Sequence, residues 1–410
     1  MTGVRRALIV GGSLGGLLTG CLLRRDGWQV DVFERSAEPL SGRGAGIVTH
    51  PRLLEALTCC GVSIDRGFGV NVEMRIALDA AGREVGRFSM PQMLTSWGRL
   101  HSALNAVFPS SHYHLGCSLE RVDSIPGGVR ARFDSGREEE GDLLLGADGI
   151  RSTVRTQYLP SVVPKYAGYI AWRGLIEECA LPERTHAAIF ERFAFCLPPG
   201  EQMLGYPVAG AANSTEKGQR RYNLVWYRPA AEQTELMDLL TDASGRRHEG
   251  AIPPPLIRPD HIARMREAAD ALLAPQFAEA VRLTPQPFFQ PIYDLESPYI
   301  AFGRVALVGD AAFVARPHVG MGVTKAGADA LALAEALRAD TNVEQALAHY
   351  QARRLPAGAA VITRARNLGA YMQAQISTPK EREMAERYRS IDAVLRETAA
   401  PEEMWRQVVV

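Results

Sequence analysis

Ala7 to Val10 is an apolar run that gives way at once to the glycine-rich turn Gly11-Gly12-Ser13-Leu14-Gly15-Gly16. Leu17 to Arg25 then carries helical spacing, and Gln29 to Phe33 is a second strand-like run ending at Glu34. Strand, turn, helix and strand within about 30 residues predict a βαβ unit. Far downstream, Arg304 to Val308 predicts another buried strand, followed by Gly309-Asp310 and an alanine-rich helix over Gly322 to Leu337. Both ends read as parts of one α/β nucleotide-binding body.

The middle has a different rhythm. Ala167 to Glu177, His186 to Leu197 and Arg221 to Arg228 are rich in β-branched and aromatic residues and are separated by Pro- and Gly-containing turns. They predict a mainly antiparallel sheet inserted into the first domain. Ala251 to Pro259 is Pro-rich and reads as a connector, and the charged tail beyond Gln345 reads as helical with a break at Ser377-Thr378-Pro379. That tail, with Met404, Trp405 and Val408-Val409-Val410, is suited to covering its own domain or a second copy in a homodimer.

Composition narrows the partners. The 410 residues are 46% hydrophobic, enough for a large core. Lys plus Arg (46) equal Asp plus Glu (46), so no overall field draws in nucleic acid or an anionic membrane, and small molecules are the expected partners. No apolar stretch reaches the roughly 18 residues of a membrane span. Cys21, Cys59, Cys60, Cys117, Cys179 and Cys196 form no CxxC pair and no zinc-ligand spacing, so a metal site is not expected. They read as thiols of a reducing, cytoplasmic compartment.

The glycine turn supplies the first chemistry. A dinucleotide fingerprint asks for a tight turn at Gly11, close helix–strand packing at Gly16, and bare amides meeting a pyrophosphate at a helix N-terminus. Ser13 replaces the middle glycine, which still permits approach and adds a hydroxyl. Glu34 stands 18 residues after Gly16, where a carboxylate binds the two hydroxyls of an adenosine ribose and disfavours a 2′-phosphate. The turn alone does not separate FAD from NAD.

Two distant motifs extend the pattern: Gly146-Ala147-Asp148-Gly149-Ile150-Arg151-Ser152-Thr153-Val154-Arg155, and Gly309-Asp310-Ala311-Ala312 with Pro317, Gly320 and Gly322. With the βαβ unit, in this order and over nearly the whole length, the chain resembles the flavoprotein aromatic hydroxylases of the para-hydroxybenzoate hydroxylase type. The resemblance implies an α/β fold, α+β overall. A Rossmann-like FAD-binding domain (1–75, 101–160 and 291–345) holds an inserted, mainly antiparallel substrate domain (161–290). Residues 76–100 join the substrate sheet, and 346–410 form a helical C-terminal region.

It also implies bound FAD, NADH or NADPH as a transient co-substrate, and hydroxylation of a small aromatic or N-heteroaromatic ring with O2 through a flavin C4a-hydroperoxide. Only one dinucleotide unit is visible, as in this family. Gly11, Ser13, Leu14, Gly15, Gly16, Glu34 and Arg35 are then assigned to the adenosine and pyrophosphate. Arg99 is assigned to pyrophosphate or ribityl oxygens, where its fork of donors suits phosphate. The Arg43–Ile47 loop is placed beside the isoalloxazine, and the Val122 backbone beside adenine. Asp310 is assigned to the ribityl chain, and Gly320, Met321, Gly322 and Val323 to the flavin O2 edge, where helix N-terminal amides stabilise developing negative charge.

Phe313 stands where the family more commonly has histidine; with Ser13 and Gly44-Ala45-Gly46-Ile47-Val48, this is most similar to the hydroxypyridine hydroxylases. A phenol or hydroxypyridine reacts better once deprotonated, so a base or relay is expected from His318, Tyr206, Tyr222 or His50. Two other readings stay open on the sequence: a flavin dehydrogenase or oxidase on the same fold, and a non-catalytic flavin redox sensor.

Overall fold

The computed structural model describes residues 4–40, 46–65 and 67–406. A six-stranded sheet forms the first layer. Arg6–Val10 lies at its centre, parallel to Leu143–Gly146 on one side and Gln29–Phe33 on the other. Val305–Leu307 continues the parallel order, and Ala301–Phe302 and Tyr113–His114 form the edges. Because helices and the three-stranded sheet Leu119–Ile125, Gly128–Phe133, Glu138–Gly141 cover it, Ala7, Leu8, Ile9 and Leu143–Leu145 are sealed on both faces, which is why these strands read as unbroken apolar runs. The helices Leu14–Arg25 and Gly322–Ala339 pack on one another across this layer.

The second layer is a nine-stranded sheet in the order Phe313–Val314, Phe288–Glu296, Lys165–Glu177, Arg221–Pro229, Gln202–Val208, Phe193–Cys196, Val70–Leu78, Glu84–Ser96, Gly46–Val48. Its pairs are antiparallel except Phe193–Cys196 with Val70–Leu78. Both faces are buried. The inner face, carrying Ala171, Leu204, Tyr206, Val225 and Tyr227, packs with Val319 and Met321 of the nucleotide-binding body. The outer face, with Trp172, Met203, Leu224 and Trp226, lies under the helices Pro259–Leu272 and Pro275–Leu283.

The sheet is more dispersed along the chain than the intervals expected from sequence. Val70–Leu78 crosses residue 75, Gly46–Val48 joins from the first FAD-binding interval, and Phe288–Glu296 and Phe313–Val314 extend the sheet past residue 290. One expected strand is shorter. His186–Phe190 forms a π-helical turn and only Phe193–Cys196 is extended. Glu178 explains the turn: it bonds His186 at 2.9 Å and Arg220 at 2.6 Å, while Arg220 stacks 4.8 Å from the Phe190 ring.

The C-terminal region opens with Val343–Leu368, and after the expected break Thr378 and Glu381 form a capping box for Pro379–Tyr388. Arg75, fully buried on Val70–Leu78, donates to the carbonyls of Leu395 at 3.0 Å, Thr398 at 2.6 Å and Ala399 at 3.2 Å. It thereby fixes a segment that reaches the nucleotide-binding body. The Ala399 N–H donates to the His318 carbonyl at 2.9 Å, and a Cβ on Gly320 would lie 2.7 Å from the Ala399 Cβ. Val408–Val410 lie outside the described residues.

Candidate active site

The first strand ends in a turn that only glycine can make. Gly11 has φ +109°, and a Cβ there would sit 2.3 Å from the Ala147 carbonyl oxygen; one on Gly16 would sit 1.9 Å from the Gly11 oxygen. Ser13 precedes the helix Leu14–Arg25 without capping it, so the hydroxyl and the first-turn N–H groups are left for an anion. Glu34 is buried, and each carboxylate oxygen takes a backbone donor: Gly12 N–H at 2.8 Å and Ser36 N–H at 2.9 Å. The acid therefore clamps the turn as well as lining the groove beside it.

Gly11, Ser13 and Glu34 line a groove of about 580 Å³ with Arg35, Trp97, Asp148 and Gln290. Arg99 stands in the first turn of Trp97–Val107, its Nε buried without a partner and its guanidinium 5.5 Å from the Phe68 ring. An orphaned buried donor of this kind fits a phosphate or ribityl oxygen. Arg43 lies outside the described residues. Val122 does not serve as expected: its N–H and C=O both pair with the Gln157 side chain, at 2.8 and 2.6 Å, so the backbone is already satisfied. Cys117, Ser118 and Leu119 line that end of the groove instead.

The two distant motifs meet the turn. Asp148 accepts from Thr153 N–H at 2.7 Å and Val154 N–H at 3.2 Å, a local role, and burial raises its carboxyl. Arg155 donates to the Ala311 carbonyl at 3.1 Å and so ties this motif to Gly309-Asp310. The Asp310 side chain keeps half its surface open, yet it lies in a recess whose desolvation raises its carboxyl against the pull of Lys325. An acid open only toward a recess fits a ribityl hydroxyl. The Lys325 ammonium is fully buried without a hydrogen bond, 3.8 Å from Asp310 and 3.9 Å from Asp329. Gly320, in the left-handed region at φ +71°, turns the chain into the helix Gly322–Ala339, and a Cβ on Gly322 would meet nothing within 4 Å. The helix N-terminus beside Met321 and Val323 thus faces open space.

The four proposed bases part company here. Tyr206 lies on the inner face, opposite Asn223 and against Gly46. His50 is buried with Nε2 3.1 Å from the Gly320 carbonyl; as the donor there, it leaves Nδ1 bare and unpartnered, and burial lowers it to about 4. His318 is not available as a base. Nε2 meets the Ala365 carbonyl at 2.8 Å, Nδ1 is 3.5 Å from the Tyr169 hydroxyl, and burial lowers it to about 3. Tyr222 is on the wrong face: it packs on the outer layer against Phe190, with its hydroxyl buried and unpartnered.

The family described as "FAD binding domain" matches residues 297–365, and the one described as "FAD binding domain-like" matches residues 166–294. The chain is 31% identical over 368 residues to 2,6-dihydroxypyridine 3-monooxygenase of Paenarthrobacter nicotinovorans, covering 90% of this chain and 91% of that one. The chain belongs to the FAD-dependent aromatic monooxygenases. This hydroxylase is also 30% identical over 379 residues to 3-amino-4-hydroxybenzoate 2-monooxygenase of Streptomyces cremeus, covering 88% of this chain and 86% of that one. Its fold follows that of the solved 2,6-dihydroxypyridine-3-hydroxylase of Arthrobacter nicotinovorans, with a TM-score of 0.85, 30% identity, and 92% and 96% of the two chains covered. FAD is its cofactor and NAD(P)H its co-substrate. Among the described residues no helix is long and apolar enough to cross a membrane.

Sequence reasoning missed three groups in the hydroxylase. Lys325 had a signal, a lone cation in the alanine-rich stretch Thr324 to Leu337. Arg173 and Asn223, on the inner face of the sheet, had none, because their strands are apolar on both faces.

Proposed function

We propose that the hydroxylase inserts one oxygen atom of O2 into a small phenol or hydroxypyridine, ortho to an existing ring oxygen, with NADH or NADPH as reductant. The observation that carries this reading is the apolar, tyrosine-bearing inner face of the nine-stranded sheet, which closes against the flavin-edge residues Val319 and Met321. A flat ring fits such a face, and exclusion of water there protects the oxygenating flavin from wasteful decay. FAD, when bound and reduced, supplies the activation of O2.

The chain's own residues bind and orient. Gly11 to Gly16 and Arg99 take the pyrophosphate, Glu34 and Arg35 the adenosine end, and Asp310 a ribityl hydroxyl. The amides of Gly322 and Val323 face the flavin O2 edge, where fixed donors favour negative charge. His50 Nδ1, held neutral by burial, accepts a hydrogen bond from the ring hydroxyl or from a water that carries its proton away, and Tyr206 on the inner face is a second neighbour of the ring. The 2,6-dihydroxypyridine in the name of the 31% identical relative and of the solved hydroxylase structure supports a hydroxypyridine first. The six unbridged cysteines support a reducing cytoplasmic setting, and a homodimer remains part of the reading.

The test is stopped-flow reduction by NADH and NADPH, with and without hydroxypyridines and phenols, followed by product analysis in air. A ring that accelerates reduction and gains a hydroxyl group is expected. Reduction indifferent to every ring, with peroxide as the only oxygen product, would overturn the proposal.

A further inference from the structure

The inner face of the sheet contains donors that the protein itself does not use. Asn223 is 1% exposed, and its Oδ1 accepts from the Gly46 N–H at 3.1 Å, which fixes the amide so that Nδ2 is the free end. That Nδ2 is buried without a partner. Arg173 is on the neighbouring strand and only partly buried, yet its Nε is sealed and also unpartnered. No carboxylate lies within ion-pair distance of it among the described residues.

Register places the two together. Asn223 pairs with Leu175 on one side and Tyr206 on the other, while Arg173 pairs with Val225 in the next same-face row. Such diagonal neighbours have backbones about 7–8 Å apart, within reach of an arginine side chain. Against burial, which raises both phenols, the Arg173 guanidinium lowers Tyr206 by its charge and Tyr227 by its charge and a hydrogen bond, so it points across this face with Nε left over. A buried donor left unmade is costly, so adjacent orphaned donors on a face that closes against the nucleotide-binding body call for an acceptor.

We propose that Arg173 and Asn223 anchor an acidic oxygen of the aromatic substrate, an enolate, phenolate or carboxylate, and so make the hydroxylase selective for anionic rings. This rests on the hydroxylase reading and deepens it. Arg173 supplies the charge, and Asn223, held by Gly46, sets the in-plane orientation of the ring beside Tyr206. A cation and an amide donor provide no acceptor, so a neutral isostere leaves both donors unmade.

The test compares FAD-loaded wild type, Arg173→Met, Arg173→Lys and Asn223→Leu by perturbation of the flavin absorbance. The ligands are 4-hydroxybenzoate against 4-fluorobenzamide, and 2,6-dihydroxypyridine against 2,6-difluoropyridine. Arg173→Met should weaken the acidic member of the recognised pair about 10- to 100-fold and leave the neutral member unchanged. Arg173→Lys should recover part of the loss, and Asn223→Leu should show the same selectivity to a smaller extent. Should Arg173→Met fail to retain FAD, the other two variants carry the comparison. Equal losses for both members, no loss, or a wild type that does not prefer the acidic member overturns the anchor. Product analysis separates this from the parent reading, which falls only if no ring gains oxygen in the wild type.

Discussion

Replacing Glu34 with glutamine changes one atom and removes one negative charge, and the structure sets the size of the effect. Its two oxygens accept from the Gly12 and Ser36 N–H groups at 2.8 and 2.9 Å. Glutamine has a single oxygen, so one N–H must face an NH2. In the unloaded protein the glycine turn can shift and let water meet the stranded group; FAD forces the turn back, and the cost is taken from binding. Stranding a buried donor costs about 1–3 kcal/mol, and exchanging a charged for a neutral acceptor at the ribose costs about 1 kcal/mol more. The sum, about 2–4 kcal/mol, predicts FAD binding weaker by about 30- to 700-fold. Titrating the apo-protein with FAD and following flavin fluorescence measures it. Affinity within about threefold of wild type would refute the dual role of Glu34.

The two tyrosines should separate. Tyr206→Phe should weaken binding of the recognised ring, whereas Tyr222→Phe should leave binding unchanged and raise stability by up to about 1 kcal/mol, because its hydroxyl is buried unpartnered; ligand titration and urea melts decide, and a binding defect in Tyr222→Phe would contradict the face assignment. Acid should destabilise the fold through two histidines. His50 and His318 are lowered to about 4 and about 3, so as pH falls below the unfolded value of about 6.5 the unfolded chain takes up protons the native state refuses. At pH 5 each costs about 2 kcal/mol, and urea melts at pH 8 and pH 5 should show that loss shrinking in His50→Gln and His318→Gln. An undiminished acid limb in both variants would count against the burial argument.

The parts of the site that were legible in the sequence are those that local backbone geometry dictates. The turn at Gly11 and Gly16, the acid ending the next strand, and the glycines around Asp310 each answer a short-range demand that leaves a residue pattern. The faces of the inserted sheet leave none. In Arg221 to Arg228 both parities are mainly apolar or aromatic, with Tyr222, Leu224 and Trp226 outward and Val225 and Tyr227 inward beside the single polar Asn223, so alternation does not tell Tyr206 from Tyr222 as a substrate neighbour. His318 and Val122 failed for another reason. Their partners, Ala365 and Gln157, stand 47 and 35 residues further along the chain, where no local pattern announces them. The helices Pro259–Leu272 and Pro275–Leu283 did carry a signal, proline at the first position of each, that a connector reading of the Pro-rich stretch obscured.

The clamp of Arg75 on Ala399 spans 324 residues of chain. Ala399 in turn holds His318 and abuts Gly320, so the flavin edge is backed by a segment that leaves the ribosome after every strand of both sheets. A nascent chain can therefore form the turn that Glu34 clamps before this segment has docked against His318 and Gly320. Completion of this part of the groove is thereby coupled to the docking of a segment made after both sheets, and a protease cut between Tyr388 and Ala399 would loosen Gly320 while leaving the Gly11–Glu34 turn in place.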